Sequence, residues 1–408
     1  MIFSPRHYQD FYYFIRQSWF FSCFFARLYC LSVKQSINMG ECLLLVNGFL
    51  MRYKMSLLPL FVLLVACSSK TENVPRSATV PQGGFLKAPP AAQGMLSGDF
   101  IGRPETEKFI NMMVAKHGFD RQQLESWLGQ ARRLDYVLRL MDRQAPTTAA
   151  PVGPNGAWIR YRNKFITPGN VKNGVAFWNQ YQGDLLRAQQ QYGVPPEIIV
   201  GIIGVETRWG RVMGKTRILD ALATLSFDYP RRSAYFSSEL ETFLLMARSE
   251  QDNPLELRGS FAGAMGYGQF MPSAYKQYAV DFDGDGHINL WDPVDAIGSV
   301  AHYFQQHGWQ AGQAIAIPAS GQAPYLDNGY NAGYTVSQLA AAGLRPRSPL
   351  AASQKVSLLR LDMGQSYQYW FGLPNFYTIT RYNHSTHYAM AVWQLGEAVR
   401  NARSNGVF

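Results

Sequence analysis

Residues 195–209 read Pro-Pro-Glu-Ile-Ile-Val-Gly-Ile-Ile-Gly-Val-Glu-Thr-Arg-Trp, an isoleucine-rich run that any fold of this chain must bury. Proline is preorganised for a first helical turn, so a helix is expected to open at Val194–Glu197 and to stop at Gly210. On that helix Glu206 follows Ile203, Ile202 and Ile199 by three, four and seven residues, which puts all four on one face. A carboxylate on an apolar face loses hydration, so its pKa should rise until it can give up a proton near neutrality. Gly201 and Gly204 each cost such a helix roughly 1 kcal/mol relative to alanine, which points to close approach of other backbone or of a ligand. The competing reading is an ordinary ion pair between Glu206 and Arg208 or Arg211, and the helix alone leaves the two open.

Around this helix the 408-residue chain is long enough for two or three domains. Residues 51–66 look like a bacterial signal peptide: Arg52 and Lys54 precede the apolar stretch Ser56–Ala66, too short to span a bilayer. The stretch ends at Leu64-Val65-Ala66-Cys67, which resembles a lipobox, so Cys67 is the expected lipidated residue. The other three cysteines, Cys23, Cys30 and Cys42, lie upstream, which leaves nothing after residue 67 for a disulfide or a thiol nucleophile. A signal peptide must be N-terminal to be read; residues 1–50 are therefore expected to be a mis-called extension, with Met51 or Met55 as the start. Residues 67–95 read as a flexible tether and 96–193 as a helical domain, with helices around Phe109–His117, after Asp120, over Leu134–Met141 and over Gly174–Tyr192. Residues 194–310 form the motif-rich core, 311–365 a small β-rich domain with a strand at Val356–Leu361, and 366–408 a return segment with a helix around Tyr388–Arg400.

Residues 259–272, Gly-Ser-Phe-Ala-Gly-Ala-Met-Gly-Tyr-Gly-Gln-Phe-Met-Pro, are a glycine-rich loop that can lie flush against a flat ligand, with Gln269 able to hydrogen-bond an acetamido or hydroxyl group. Such a loop is weak evidence by itself. An E-T-R-W-G helix end followed by G-A-x-G-x-x-Q-F-M-P, however, resembles the lysozyme-like lytic transglycosylase family. The stretches PPEIIVGIIGVETRWGRVMGKTRILDALATLSFDYPRR and YWFGLPNFYTITRYNHSTHYAMAVWQL extend the likeness, of the membrane-bound B type, from Met51 to the C-terminus. The resemblance implies a mainly helical α+β fold with a lysozyme-like core, and cleavage of the N-acetylmuramic acid–N-acetylglucosamine bond of peptidoglycan with 1,6-anhydromuramyl products. It makes Glu206 the catalytic residue and places Ser260 and Gln269 at the sugar subsites, Arg231 and Arg232 against muramyl or peptide groups, and Tyr161, Tyr303, Tyr382 and Asn383 along the cleft. Peptidoglycan strands are the expected partner, the periplasmic face of the outer membrane of a Gram-negative bacterium the expected location, and other wall-synthesis or wall-degrading enzymes further partners. Residues 1–66 carry six basic and two acidic side chains, so the mature part keeps +6 of the formal +10. That excess suits an anionic polymer, and no nucleic-acid motif accompanies it. The alternatives are a muramidase hydrolase on the same fold, or a wall-binding lipoprotein without catalysis.

Residues 281–292 read as an EF-hand loop: Asp281, Asp283 and Asp285 hold the first, third and fifth positions, Gly286 makes the turn, and His287 offers its carbonyl. Where the pattern has its bidentate glutamate stands Asp292, which with Pro293 also reads as a helix cap, so Asp295 is the alternative ligand. A lone loop of this kind argues for structural calcium, and no organic cofactor is expected.

Overall fold

The structure, a computed structural model, describes residues 98–143, 153–331 and 333–408; the N-terminal extension, the leader, Cys67 and the tether expected at 67–95 lie outside the described residues. Seven helices come first: α1 (Pro104–His117), α2 (Arg121–Leu128), α3 (Asp135–Arg143), α4 (Ala157–Arg162), α5 (Pro168–Gln180), α6 (Gln182–Tyr192) and α7 (Pro196–Thr207). Their starts follow local chemistry. Proline stands in the first turn of α1, α5 and α7, and the side chains of Asp120 and Thr167 accept backbone N–H groups that open α2 and α5. The single helix expected over Gly174–Tyr192 is two, because Tyr181 leaves helical geometry at φ −110° and ψ 28° and ends α5 before α6 begins.

Then follow β1 (Thr216–Arg217), α8 (Ile218–Asp228), a 3₁₀ turn (Pro230–Arg232), α9 (Ser233–Ser249), β2 (Arg258–Gly259), α10 (Pro272–Tyr278) and α11 (Pro293–Gln306). β1 and β2 pair antiparallel as a short ribbon, Thr216 opposite Gly259. The last third holds β3 (Ala316–Gly321), β4 (Gly333–Thr335), α12 (Val336–Ala341), β5 (Leu344–Pro346), β6 (Lys355–Asp362), β7 (Tyr367–Gly372), α13 (Pro374–Tyr382) and α14 (Thr386–Ser404). Its five strands form one antiparallel sheet in the order β4-β6-β7-β3-β5, with a small core of its own around Leu339, Leu344, Leu358 and Phe371. The β-rich part therefore runs past the expected boundary at 365. β7 pairs with β6 from Asp362 opposite Tyr367 to Ser357 opposite Gly372, and it also pairs with β3. Its run Tyr-Gln-Tyr-Trp-Phe-Gly has bulky rings on both faces, which hides the alternation that marks a strand.

The main core gathers on α7. Helix α14 lies so close to it that a Cβ on Gly201 would fall 2.4 Å from the Val392 carbonyl oxygen, and one on Gly204 2.9 Å from the Leu395 side chain. This close approach explains the two mid-helix glycines. At the end of α7, Arg208 and Trp209 take φ of 51° and 57°, an unfavourable left-handed pair for residues with side chains. The reversal tucks Trp209 back beneath the helix, where its indole N–H donates to the Val200 carbonyl at 3.1 Å. From the sheet, Asp362 accepts the backbone N–H groups of Asn155, Gly156 and Gly364 at 2.7–2.9 Å, which holds its carboxyl down at about 2 and fixes the start of α4.

Candidate active site

Glu206 sits in the last turn of α7, with Ile199, Ile202 and Ile203 fully buried beneath it. Burial pushes its carboxyl up to about 7, partly offset by a hydrogen bond from Tyr388. The negative end of the helix dipole acts in the same upward direction. The Tyr388 hydroxyl donates to Glu206 Oε1 at 2.5 Å, and Tyr388 is itself buried at the start of α14. Among the described residues neither Arg208 nor Arg211 pairs with Glu206, and both point to solvent. The ordinary ion pair left open by the helix is absent there.

Tyrosines surround this carboxyl. Tyr161 on α4 and Tyr382 at the end of α13 both have raised pKa values, through burial first and the charge of Glu206 second. Tyr382 stacks on Tyr388 with ring centres 6.5 Å apart and donates its hydroxyl to the Gly268 carbonyl at 2.6 Å. Behind it Tyr303, 9% exposed, meets the Tyr382 ring edge-on at 4.8 Å and donates to the Arg381 carbonyl. Asn383 follows α13 and is exposed.

The glycine-rich loop closes against the same corner. Thr207 Oγ1 donates to the Tyr267 carbonyl at 3.0 Å and accepts the Gly210 N–H at 3.1 Å, which ties the loop to the end of α7. Ser260 Oγ accepts the N–H groups of Ala262 and Ala264, so its hydroxyl proton is left to donate outward. Gln269 takes φ of 52° and its amide nitrogen donates to the carbonyls of Gly266 and Met213, leaving the amide oxygen as its accepting end. Arg231 and Arg232 stand apart in the 3₁₀ turn, exposed, with the Arg232 guanidinium 4.4 Å over the Tyr235 ring. No contact among the described residues joins either arginine to Glu206.

In the acidic loop, carboxylate oxygens of Asp281, Asp283 and Asp295 lie within 4.8 Å of one another. This is a hard-oxygen donor set of the kind calcium takes. Asp295 is buried and also accepts N–H groups from Phe282, Asp283 and Asn289, which shapes the loop around it. Asp292 instead caps α11, accepting the Val294 N–H at 2.6 Å. Asp285 and His287 are exposed in the same loop, where the Asp285 carboxylate accepts the His287 N–H.

Sequence reasoning missed Tyr388. It lies 182 residues beyond Glu206, and its position three residues after the Ser385 cap marks only a helix start.

The family profile described as Transglycosylase SLT domain matches residues 102–397. The chain is 71% identical over 359 residues to the membrane-bound lytic murein transglycosylase B of Escherichia coli (strain K12), covering 87% of this chain and 99% of that protein. Among solved structures it resembles the Escherichia coli lytic transglycosylase Slt35 in complex with calcium (TM-score 0.73, 73% identity, 76% of this chain and 96% of that one). It also resembles SltB3 from Pseudomonas aeruginosa in complex with NAG-anhNAM-pentapeptide (TM-score 0.63, 29% identity, 72% and 78% of the two chains).

Proposed function

Since the chain belongs to the transglycosylase SLT domain family and is a lytic murein transglycosylase, we propose that Glu206 is its single acid/base catalyst. The observation that carries this reading is a buried carboxyl, held near a pKa of about 7, in a tyrosine-lined corner. Protonated Glu206 gives its proton to the glycosidic oxygen between N-acetylmuramic acid and N-acetylglucosamine as the bond from C1 breaks. The resulting carboxylate takes the proton of the muramyl C6 hydroxyl, whose oxygen closes on C1 to form the 1,6-anhydro ring. The two sugars part with no water added. Hydrolysis by paired carboxylates wants a second acid about 5–9.5 Å away; among the described residues the one side chain hydrogen-bonded to Glu206 is the Tyr388 hydroxyl.

In this reading Ser260 donates its free hydroxyl to the sugar, Gln269 offers its amide oxygen, and Tyr161, Tyr382 and Asn383 line the subsites. Tyr303 backs Tyr382, and Arg231 and Arg232 meet muramyl or peptide groups further along the strand, which like that of the SltB3 complex carries peptide stems. Asp281, Asp283 and Asp295, with Asp285 and the His287 carbonyl, hold calcium in a structural role, and Asp292 caps α11. Cys67 is lipidated and anchors the enzyme on the periplasmic face of the outer membrane, because Ser68 and Ser69 lack the aspartate of an inner-membrane retention signal.

Glu206→Gln keeps shape but can neither give nor take the proton, so turnover should fall toward the upper end of ~10²–10⁴-fold, while glycan binding persists. Wild-type digests of purified sacculi should hold muropeptides one water lighter than lysozyme products, with no ¹⁸O from labelled water at the new C1 end. Label at C1 would make the enzyme a hydrolase; near-normal activity of the variant would remove Glu206 from the chemistry.

A further inference from the structure

A cavity of about 410 Å³ opens beside the β1–β2 ribbon, lined by none of the tyrosines around Glu206. Arg132, Lys215, Arg217 and Arg258 converge on it, against one carboxylate, Asp220. That carboxylate is already engaged: its Oδ1 accepts the Arg132 backbone N–H at 3.0 Å and the Arg217 Nε–H at 2.8 Å. Among the described residues Arg217 is the one cation of the four with an ion pair, to Asp220 at 2.7 Å. Arg258 donates to the neutral Lys215 carbonyl at 3.1 Å. Among the described residues Arg132, Lys215 and Arg258 form no ion pair, so they bring unpaired positive charge to one recess. Like charges gathered this way repel, and a bound anion relieves the repulsion. The Tyr136 and Thr216 hydroxyls, 2.7 Å apart on the same wall, add neutral hydrogen-bonding groups.

Two of the residues that line the cavity, Lys215 and Arg258, adjoin in the chain the segments that carry the cleft residues. Lys215 follows Met213, whose carbonyl receives the Gln269 amide, and Gly214, where a Cβ would fall 2.0 Å from the Gly259 carbonyl oxygen. Arg258 precedes Ser260 by two residues, roughly 7 Å along a strand. A five-residue peptide branching from a sugar at Ser260 reaches up to ~17 Å, well past that separation. Arginine matches the planar carboxylate in two parallel hydrogen bonds, and a lysine adds a point charge.

The geometry points to a second binding site, in which Arg132, Lys215 and Arg258 hold carboxylates of the peptide stem carried by the glycan strand. This rests on the lytic transglycosylase reading, under which the substrate brings a peptide to the cleft. The site makes the enzyme favour strands that keep their stems over bare glycan.

The test compares kcat/KM on strands bearing stem peptides and on strands stripped of them, for wild type and for the double variant Arg132→Gln, Lys215→Gln. Neither side chain has a protein partner among the described residues, and a melting curve checks that the variant folds. The ratio of the two kcat/KM values should fall about tenfold, equivalent to about 1.4 kcal/mol. An unchanged ratio, or an equal loss on both substrates, overturns the proposal. Free stem peptide titrated against the uncleaving Glu206→Gln protein reads the site without turnover: binding should weaken when the peptide carboxylates are amidated and in the double variant. If the two side chains instead govern binding to vesicles of anionic phospholipid while the peptide ratio stays flat, the recess is a lipid headgroup site and the proposal is wrong. A wild type that cuts neither substrate would remove the lytic reading itself, and the peptide titration would still decide the recess.

Discussion

The Tyr388 hydroxyl favours the charged form of Glu206, so its removal should raise the carboxyl above about 7. A hydrogen bond to a charged group contributes ~1.5–3 kcal/mol, and at 1.36 kcal/mol per unit the rise should be about one unit or somewhat more. Glu206 must start protonated, so activity falls as pH rises through its pKa. In Tyr388→Phe the alkaline limb of the kcat/KM profile should therefore move upward by about a unit. A limb that stays in place would show that Tyr388 does not act on Glu206. The same shift has a stability side. A carboxyl with a raised folded pKa stabilises the fold fully below its unfolded value near ~4.3, and that contribution is lost as pH climbs through about 7. Glu206→Gln has no proton to lose, so it should melt several degrees above wild type at about pH 8 and with no advantage by about pH 4. Equal melting differences at both pH values would contradict the raised pKa. The apolar setting of Glu206 and its raised pKa were legible because Ile199, Ile202 and Ile203 are written within one helix, at spacings of seven, four and three residues. Tyr388 was not, because its partner arrives by tertiary packing, which no local period records.

Among the elements, the acidic loop was legible at the positions where glycine and short carboxylates must recur, and ambiguous at its close. Asp292 and Asp295 both fit a first helical turn, and only folded geometry separates the cap from the residue that groups with Asp281 and Asp283. At a hundredfold excess over its dissociation constant, calcium bound to the native state adds roughly 2.7 kcal/mol. Chelation should therefore lower the melting temperature of wild type and of Asp292→Asn, which keeps a capping side chain. The difference with and without calcium, rather than the absolute melting temperature, should vanish in Asp295→Asn. Loss of the response in Asp292→Asn but not in Asp295→Asn would reverse the assignment. Strand β7 shows the opposite failure. It carries rings on both faces, Tyr369 and Phe371 buried and Tyr367 and Trp370 partly buried, so a central strand read as a change of character rather than as part of the sheet.

Across the whole molecule, among the described residues no helix is long and apolar enough to cross a membrane. In the proposed reading attachment is through a lipidated Cys67, where two or more acyl chains would give stable anchoring. Cys67→Ala should lose incorporation of labelled palmitate and leave the membrane fraction; equal labelling of the two proteins would discard the anchor. The broad architecture was legible because proline, glycine and capping residues punctuate most helices, whereas the pairing of α7 with α14 joins segments from opposite ends of the core. That pairing sets an order in time. A ribosome makes Glu206 before it makes Tyr388, and until α14 has docked the glutamate lacks the Tyr388 hydroxyl and its helix lacks a flank. A chain interrupted before Thr386 carries the acid without the hydroxyl and the helix flank that α14 brings, so a tool able to breach the cell's own wall is complete only with its last helix.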